Sequence, residues 1–310
     1  MKRFLLPALA LFVLLSGCKD KDEPSTSNVL RVKLAFDPTQ ERLDNLGNPS
    51  TIPPGNAAQN PTVRGLSAHF IELVPTEFTP YQGGETVYQG LDVPADNANS
   101  FGFTTAADFD QAIVRASGET FIEVPLSDLG PGTYNHVRVS VIYQNGDVVY
   151  NLKNIPQVGD LNGQTGTIAS FVGYNNFITN LTVNNLGLTV NDERLQGFWA
   201  FETNLSSPYQ QYNQVYSGQA PENATTVVNP FPNAPVPQGS CVVSGSLDQP
   251  LEITGQETSD IELTLSFSIN QSFEWEDTNA NGEWDLDIGG NTLEPVVDMG
   301  LRGLIGKVVY

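Results

Sequence analysis

Every second residue is apolar between Ile261 and Ile269, with Glu, Thr, Ser and Ser at the alternate positions. Successive side chains of an extended chain point to opposite faces, so this run predicts a half-buried strand of an antiparallel sheet. Similar patterns predict strands over Val29–Phe36, Leu66–Leu73, Thr120–Leu126 and Val137–Tyr143. Asn145-Gly146 tolerates positive φ and reads as a hairpin turn, with Asp147–Tyr150 returning as the partner strand. Phe177–Val183, Leu186–Val190 and the aromatic run Gly197–Phe201 continue the series. No long segment has a helical period; Ala106–Ala116 leaves room for a short helical turn.

The predicted class is all-β, an antiparallel β-sandwich architecture with two packed sandwich-like halves and long loops. The loops are Asp37–Thr62 and Ser206–Gly239, rich in Pro, Gly, Asn and Gln. Pro156–Asp160 reads as the boundary, giving a β-sandwich-like domain over 29–155 and a second β-rich domain over 156–310. One continuous β domain is the alternative.

Composition agrees. The 310 residues include 28 Gly and 21 Pro, as in a turn-rich β protein. With 14 Lys+Arg against 35 Asp+Glu the formal net charge is −21, which argues against a nucleic-acid partner because phosphate binding needs clustered cations.

The first residues predict an address. Lys2 and Arg3 precede the apolar run Phe4–Leu15, and Leu15-Ser16-Gly17-Cys18 follows. A basic start, a short apolar run and small residues before a cut read as a secretory signal peptide, here residues 1–17. The run falls short of the roughly 20 residues a spanning helix needs. Leu15–Cys18 resembles the bacterial lipobox, and that resemblance implies lipidation of Cys18 and attachment to a membrane through the N-terminal lipid. Residues 18–28, with Lys19-Asp20-Lys21-Asp22-Glu23, read as a flexible acidic tether. Charged residues behind a lipobox also resemble the surface-export signal of Bacteroidota lipoproteins; a plain spacer facing the periplasm is the alternative. Cys241, in Ser240–Val243, reads as a buried strand residue.

One segment carries defined chemistry. In Asp277–Ile288 oxygen-bearing side chains stand at loop positions 1, 3 and 5 (Asp277, Asn279, Asn281), glycine at 6 (Gly282) and a carboxylate at 9 (Asp285). This is the EF-hand spacing, in which a tight loop turns alternate oxygens inward on a hard cation. The segment is similar to the calcium loops of dockerins and thrombospondin type 3 repeats. That likeness implies calcium as a structural cofactor, with Asp277, Asn279, Asn281 and Asp285 as ligands and Glu283 giving its carbonyl. Position 12, normally an acid, is Ile288; Asp287 stands one place early, and Glu294 or Asp298 can reach back after Gly289-Gly290. Phe273, Trp275 and Trp284 are placed to pack the loop onto a sheet. An Asn/Gly-rich hairpin turn with solvated acids is the alternative.

Catalytic patterns are scarce. There is no Gly-x-Ser-x-Gly elbow, no His-Glu-x-x-His and no phosphate-cradling Gly-x-x-x-x-Gly-Lys. His69 and His136 read as strand or surface residues, and Glu202 is the carboxylate to inspect first for glycoside cleavage. Tyr209, Tyr212 and Tyr216 lie among amides in the second long loop and suit a carbohydrate face or a protein partner, unless they pin the loop to the sheet.

Several phrases together resemble uncharacterised exported lipoproteins of Bacteroidota: Glu41–Gly47, Ser67–Leu73, Pro131–Tyr134, Ser268–Trp275 and Val297–Leu304. The resemblance implies an exported β-rich lipoprotein and carries no established activity. The lipobox, the acidic tether and the absence of a catalytic motif lead to the expectation of a non-enzymatic, lipid-anchored outer-membrane protein exposed on the cell surface, with a glycan or an envelope protein as partner. An extracellular hydrolase acting on polysaccharide or peptide is the alternative.

Overall fold

The computed structural model describes residues 28–44, 47–95, 104–221, 242–299 and 301–310. Cys18, Cys241, the leader and the tether up to residue 27 lie outside them.

The described chain is all-β. In order the strands are β1 (Val29–Asp37), β2 (Asn56–Gln59), β3 (Thr62–Val74), β4 (Glu85–Gln89), β5 (Asp92–Pro94), β6 (Thr105–Asp108), β7 (Thr120–Pro125), β8 (Gly132–Ile155), β9 (Gly159–Phe171) and β10 (Asn176–Thr182). There follow β11 (Gly187–Arg194), β12 (Phe198–Thr203), β13 (Val215–Gln219), β14 (Val242–Ile253), β15 (Ile261–Ser268), β16 (Phe273–Glu276), β17 (Asp285–Asp287), β18 (Thr292–Leu293), β19 (Val296–Asp298) and β20 (Leu304–Val309). The expected helical turn is a short 3₁₀ turn at Phe109–Gln111.

A large sheet runs β13-β12-β9-β8-β14-β20-β15-β1-β7, with β3, β4, β17 and β18 branching from β8. A four-stranded sheet, β11-β10-β6-β5, and a three-stranded sheet, β19-β16-β2, complete the fold. Most pairings are antiparallel; β1 with β15, β17 with β8, β10 with β6 and β14 with β20 are parallel.

The spine is β8. On one edge it pairs with β3 along His136–Asp147 and with β17 at Asn151–Lys153; on the other, with β14 over Gly132–Ser140 and β9 over Gln144–Ile155. The Asn145-Gly146 hairpin is therefore corrected: both residues lie mid-strand. Gly146 serves close approach, since a Cβ there would stand 2.7 Å from the Thr62 carbonyl oxygen. Conformational tolerance in the sequence does not distinguish a turn from a crowded strand crossing.

The expected boundary is corrected as well. Pro156–Val158 is the tight turn between β8 and β9, closed by Val158 N–H donating to the Ile155 carbonyl. Strands from both expected halves share the large sheet, and β1 lies directly beside β15.

The alternation of β15 is realised: Ile261, Leu263, Leu265 and Phe267 enter the main core with Leu30, Val32 and Leu34 of β1. The strand β12 is buried along its whole length because both faces are covered. Trp199 and Phe201 join the main core, whereas Phe198 and Ala200 join a second core under the four-stranded sheet, with Phe171, Ile178 and Leu181. Part of the second expected loop is a strand: β13 pairs with β12 and places Tyr216 opposite Phe201.

Candidate functional site

The acidic loop joins β16 to β17, and the aromatic residues around it fix its seat. Trp284 is buried and meets Phe273 edge-on at 4.7 Å and Phe201 at 4.6 Å between ring centroids. Its indole N–H donates to the Glu294 carbonyl at 3.1 Å. The loop thus stands on the main core, with Trp284 and Phe273 in it as expected.

Within the loop the side chains take the turns that the spacing predicts. Asp277 Oδ1 accepts the N–H of Asn281 at 3.1 Å, and its Oδ2 that of Gly282 at 2.9 Å. Asn279 Oδ1 accepts the N–H of Asn281 at 3.1 Å, and Asn281 Oδ1 that of Glu283 at 2.7 Å. Gly282 has φ +74°, the reversal for which glycine stands at the sixth position.

Asp285 lies at the base of the loop. Its Oδ2 receives the side-chain amides of Asn279 and Asn281 at 2.7 and 2.8 Å, and its Oδ1 that of Asn151 at 2.9 Å. Lys153 Nζ stands 3.7 Å from the same Oδ1. Burial pushes the Asp285 carboxyl up, but the three amides and the ammonium together hold it below the usual carboxylate range.

Of the two acids expected to reach back, Glu294 is the one that lies against the loop. It is buried; its Oε1 accepts both the N–H and the hydroxyl of Thr278, at 2.9 and 3.0 Å, and its Oε2 accepts the N–H of Asp285 at 3.0 Å. Asp298 is held instead by Arg302, which also reaches Glu274.

The structure therefore brings Asp277, Asn279, Asn281 and Asp285 together, with Glu294 beside them. Glu283 is adjacent, its carboxylate accepting the Asn151 amide at 2.8 Å. Asp287, expected among the ligands, is engaged in the next turn: its Oδ1 accepts the Gly290 N–H at 2.9 Å, and that bond, with the Asn154 side chain, keeps its carboxyl low. Sequence reasoning missed Asn151 and Lys153, which arrive from β8 through the parallel β8–β17 ladder and leave no local signal near the loop. An open cleft of about 360 Å³ adjoins the site, lined by Lys153, Asn154, Asp287, Thr292 and Leu293 over the carboxylates of Asp285 and Glu294.

Among the described residues no three His, Cys, Asp or Glu side chains converge so as to hold a metal ion. A cation in this loop depends on amide and backbone oxygens as well. The donor set meets that need in kind: Asp277, Asn279, Asn281, Asp285 and Glu294 all carry side-chain oxygens, and a hard cation takes about six to eight oxygens.

Elsewhere the candidates have structural partners. Glu202, buried in β12, accepts the backbone N–H groups of Asn184, Asn185 and Leu186 at 2.9–3.1 Å and so closes the β10–β11 turn. His69 is buried, stacked 4.6 Å from the Tyr174 ring, with Nε2 2.7 Å from Asp92. His136 pairs in register with Val74, five residues beyond His69 on β3, so the two backbone positions are roughly 16 Å apart along the strand. Tyr209, Tyr212 and Tyr216 are half-buried and pack against the main core, with Tyr209 just before a 3₁₀ turn, Tyr212 its last residue and Tyr216 in β13.

The chain matches no protein-family model, no curated protein and no solved structure.

Proposed function

We propose that the chain is a lipid-anchored, non-enzymatic protein of the cell envelope, with a binding or structural role, whose C-terminal loop is braced by calcium. The observation that carries the calcium reading is Glu294. A loop with EF-hand spacing but no acid at position 12 has a buried carboxylate, nine residues beyond Asp285, lying against it. Asp277, Asn279, Asn281, Asp285 and Glu294 would hold the ion, with the Glu283 carbonyl; Asp287 has no part in this set. Calcium would tie the β16–β17 connection to β18 and stiffen the rim of the adjoining cleft.

The anchor rests on the basic, apolar, Leu-Ser-Gly-Cys leader and the acidic tether behind it. With Cys18 lipidated, the protein would sit on the outer membrane, exposed at the cell surface, where calcium is abundant and a glycan or another envelope protein is the natural partner. The non-enzymatic reading is supported by the use of Glu202 in a turn and by the separation of the two histidines.

Thermal melts of residues 24–310 in millimolar calcium and in chelator test the calcium reading. A ligand that binds only the folded state raises its stability. Calcium should raise the melting temperature, and Asp277→Ala should abolish the rise; identical melts in both conditions would reduce the segment to an ordinary turn. Metabolic labelling with a fatty acid, lost on Cys18→Ser, tests the anchor.

A further inference from the structure

Lys153 is the one cation that reaches the acidic loop from outside it among the contacts described above. It lies opposite Asp287 in the β8–β17 ladder, and its ammonium stands 3.7 Å from Asp285 Oδ1. The same ammonium donates to Asn162 Oδ1 at 3.0 Å and lies 4.0 Å from Asp160. Its side chain is 22% exposed, against 8% for Asp285, so the pair sits at the boundary between protein and solvent, where charges interact more strongly than in bulk water.

We propose that Lys153 is a built-in competitor that sets the calcium affinity of the loop. The inference rests on the calcium reading above. While the loop is metal-free, the ammonium and the amides of Asn151, Asn279 and Asn281 neutralise Asp285. A dication bound to Asp285 stands within a few ångströms of the ammonium, and like charges at that distance repel. In the position it already holds, the ammonium donates to Asn162 on the β8–β9 hairpin and lies near Asp160, so it keeps partners there when a dication takes Asp285. Calcium therefore binds only against the charge of a resident cation, which weakens the site into the range where extracellular calcium modules work, about 10⁻⁴ to 10⁻³ M. Lys153 is in this sense a residue that determines affinity, not a ligand.

The test compares the wild-type chain with Lys153→Gln and Lys153→Arg. Calcium is titrated while the fluorescence of Trp284, buried under the loop, is followed, and melts are recorded in chelator and in saturating calcium. Lys153→Gln should shift the calcium midpoint roughly tenfold lower, as expected for removal of one nearby positive charge. It should also lower the melting temperature in chelator while enlarging the rise that calcium gives. Lys153→Arg, which keeps the charge, should keep a midpoint close to wild type. A purely structural lysine would lower stability in both conditions and leave the midpoint where it is, and that result overturns the proposal while the calcium reading stands. If neither the wild-type chain nor Lys153→Gln responds to calcium, the calcium reading falls and the competitor role falls with it.

Discussion

Glu72 and Arg138 form a fully buried ion pair between β3 and β8: Arg138 Nη1 donates to Glu72 Oε1 at 3.1 Å. The rest of the guanidinium reaches the carbonyls of Glu77, Thr79 and Pro80, and the Glu72 carboxylate accepts the N–H groups of Gln82 and Gly84 at 3.4 and 3.3 Å. One pair of charges thus holds the connection between β3 and β4 against the sheet. Removing either partner takes this opposite charge away from a group that stays fully buried. Glu72→Gln or Arg138→Met should cost about 3–5 kcal/mol in denaturant unfolding. A cost near zero would mean that the connection holds itself.

Glu202 makes the same kind of link on a smaller scale. Its carboxylate gathers three consecutive N–H groups of the β10–β11 turn. Glu202→Ala should cost about 1–3 kcal/mol and selectively speed hydrogen exchange of the Asn184, Asn185 and Leu186 amides. The same variant separates this role from catalysis, since no hydrolytic activity on polysaccharide is expected to be present or to disappear.

Buried phenols set the alkaline limit. Burial pushes the Tyr143 hydroxyl up to about 12 and raises those of Tyr81 and Tyr150 well beyond the usual phenol range. The folded chain then holds protons that the unfolded chain releases, so the contribution is complete below about pH 10 and is lost as pH rises above it. Each of the three should remove about 1.4 kcal/mol per pH unit beyond that point. Phenolate absorbance should show these tyrosines titrating together with unfolding. Smooth titration of every tyrosine near pH 10 in the folded protein would contradict the burial.

Gly146 tests the correction at the middle of β8. A Cβ there would stand 2.7 Å from the Thr62 carbonyl oxygen and 3.0 Å from the Val63 Cα, both of them backbone atoms. Gly146→Ala should destabilise by about 1–3 kcal/mol through overpacking. Gly146 is not among the glycines with positive φ, so the cost arises from crowding and not from a strained turn backbone.

How much of this was legible follows from the range of each interaction. The period of β15 is local, and it located both the strand and its inward face. The Asp277–Asp285 spacing is local too, and its internal turns formed as the spacing required. Asn145-Gly146 misled because glycine's freedom and glycine's small size give the same letter. Pro156–Val158 misled because a tight turn and a linker share a composition, and only the pairing of β8 with β9 separates them. Asn151 and Lys153 could not be read at all, since their meeting with Asp285 spans more than 130 positions and is set by a strand ladder. Tyr216 reads as a loop residue because the period of β13 is short and interrupted by glycine.

The placement of β1 has a mechanical consequence. It is hydrogen-bonded on one side to β15 along Leu30–Asp37 and on the other to β7 along Val29–Lys33. A tug transmitted through the residues before Val29 would run along the strand axis, across both ladders. Bonds loaded that way share the strain and rupture together, whereas a strand peeled from its end gives way one bond at a time. A load applied at this end would thus fall first on a strand held along both of its edges.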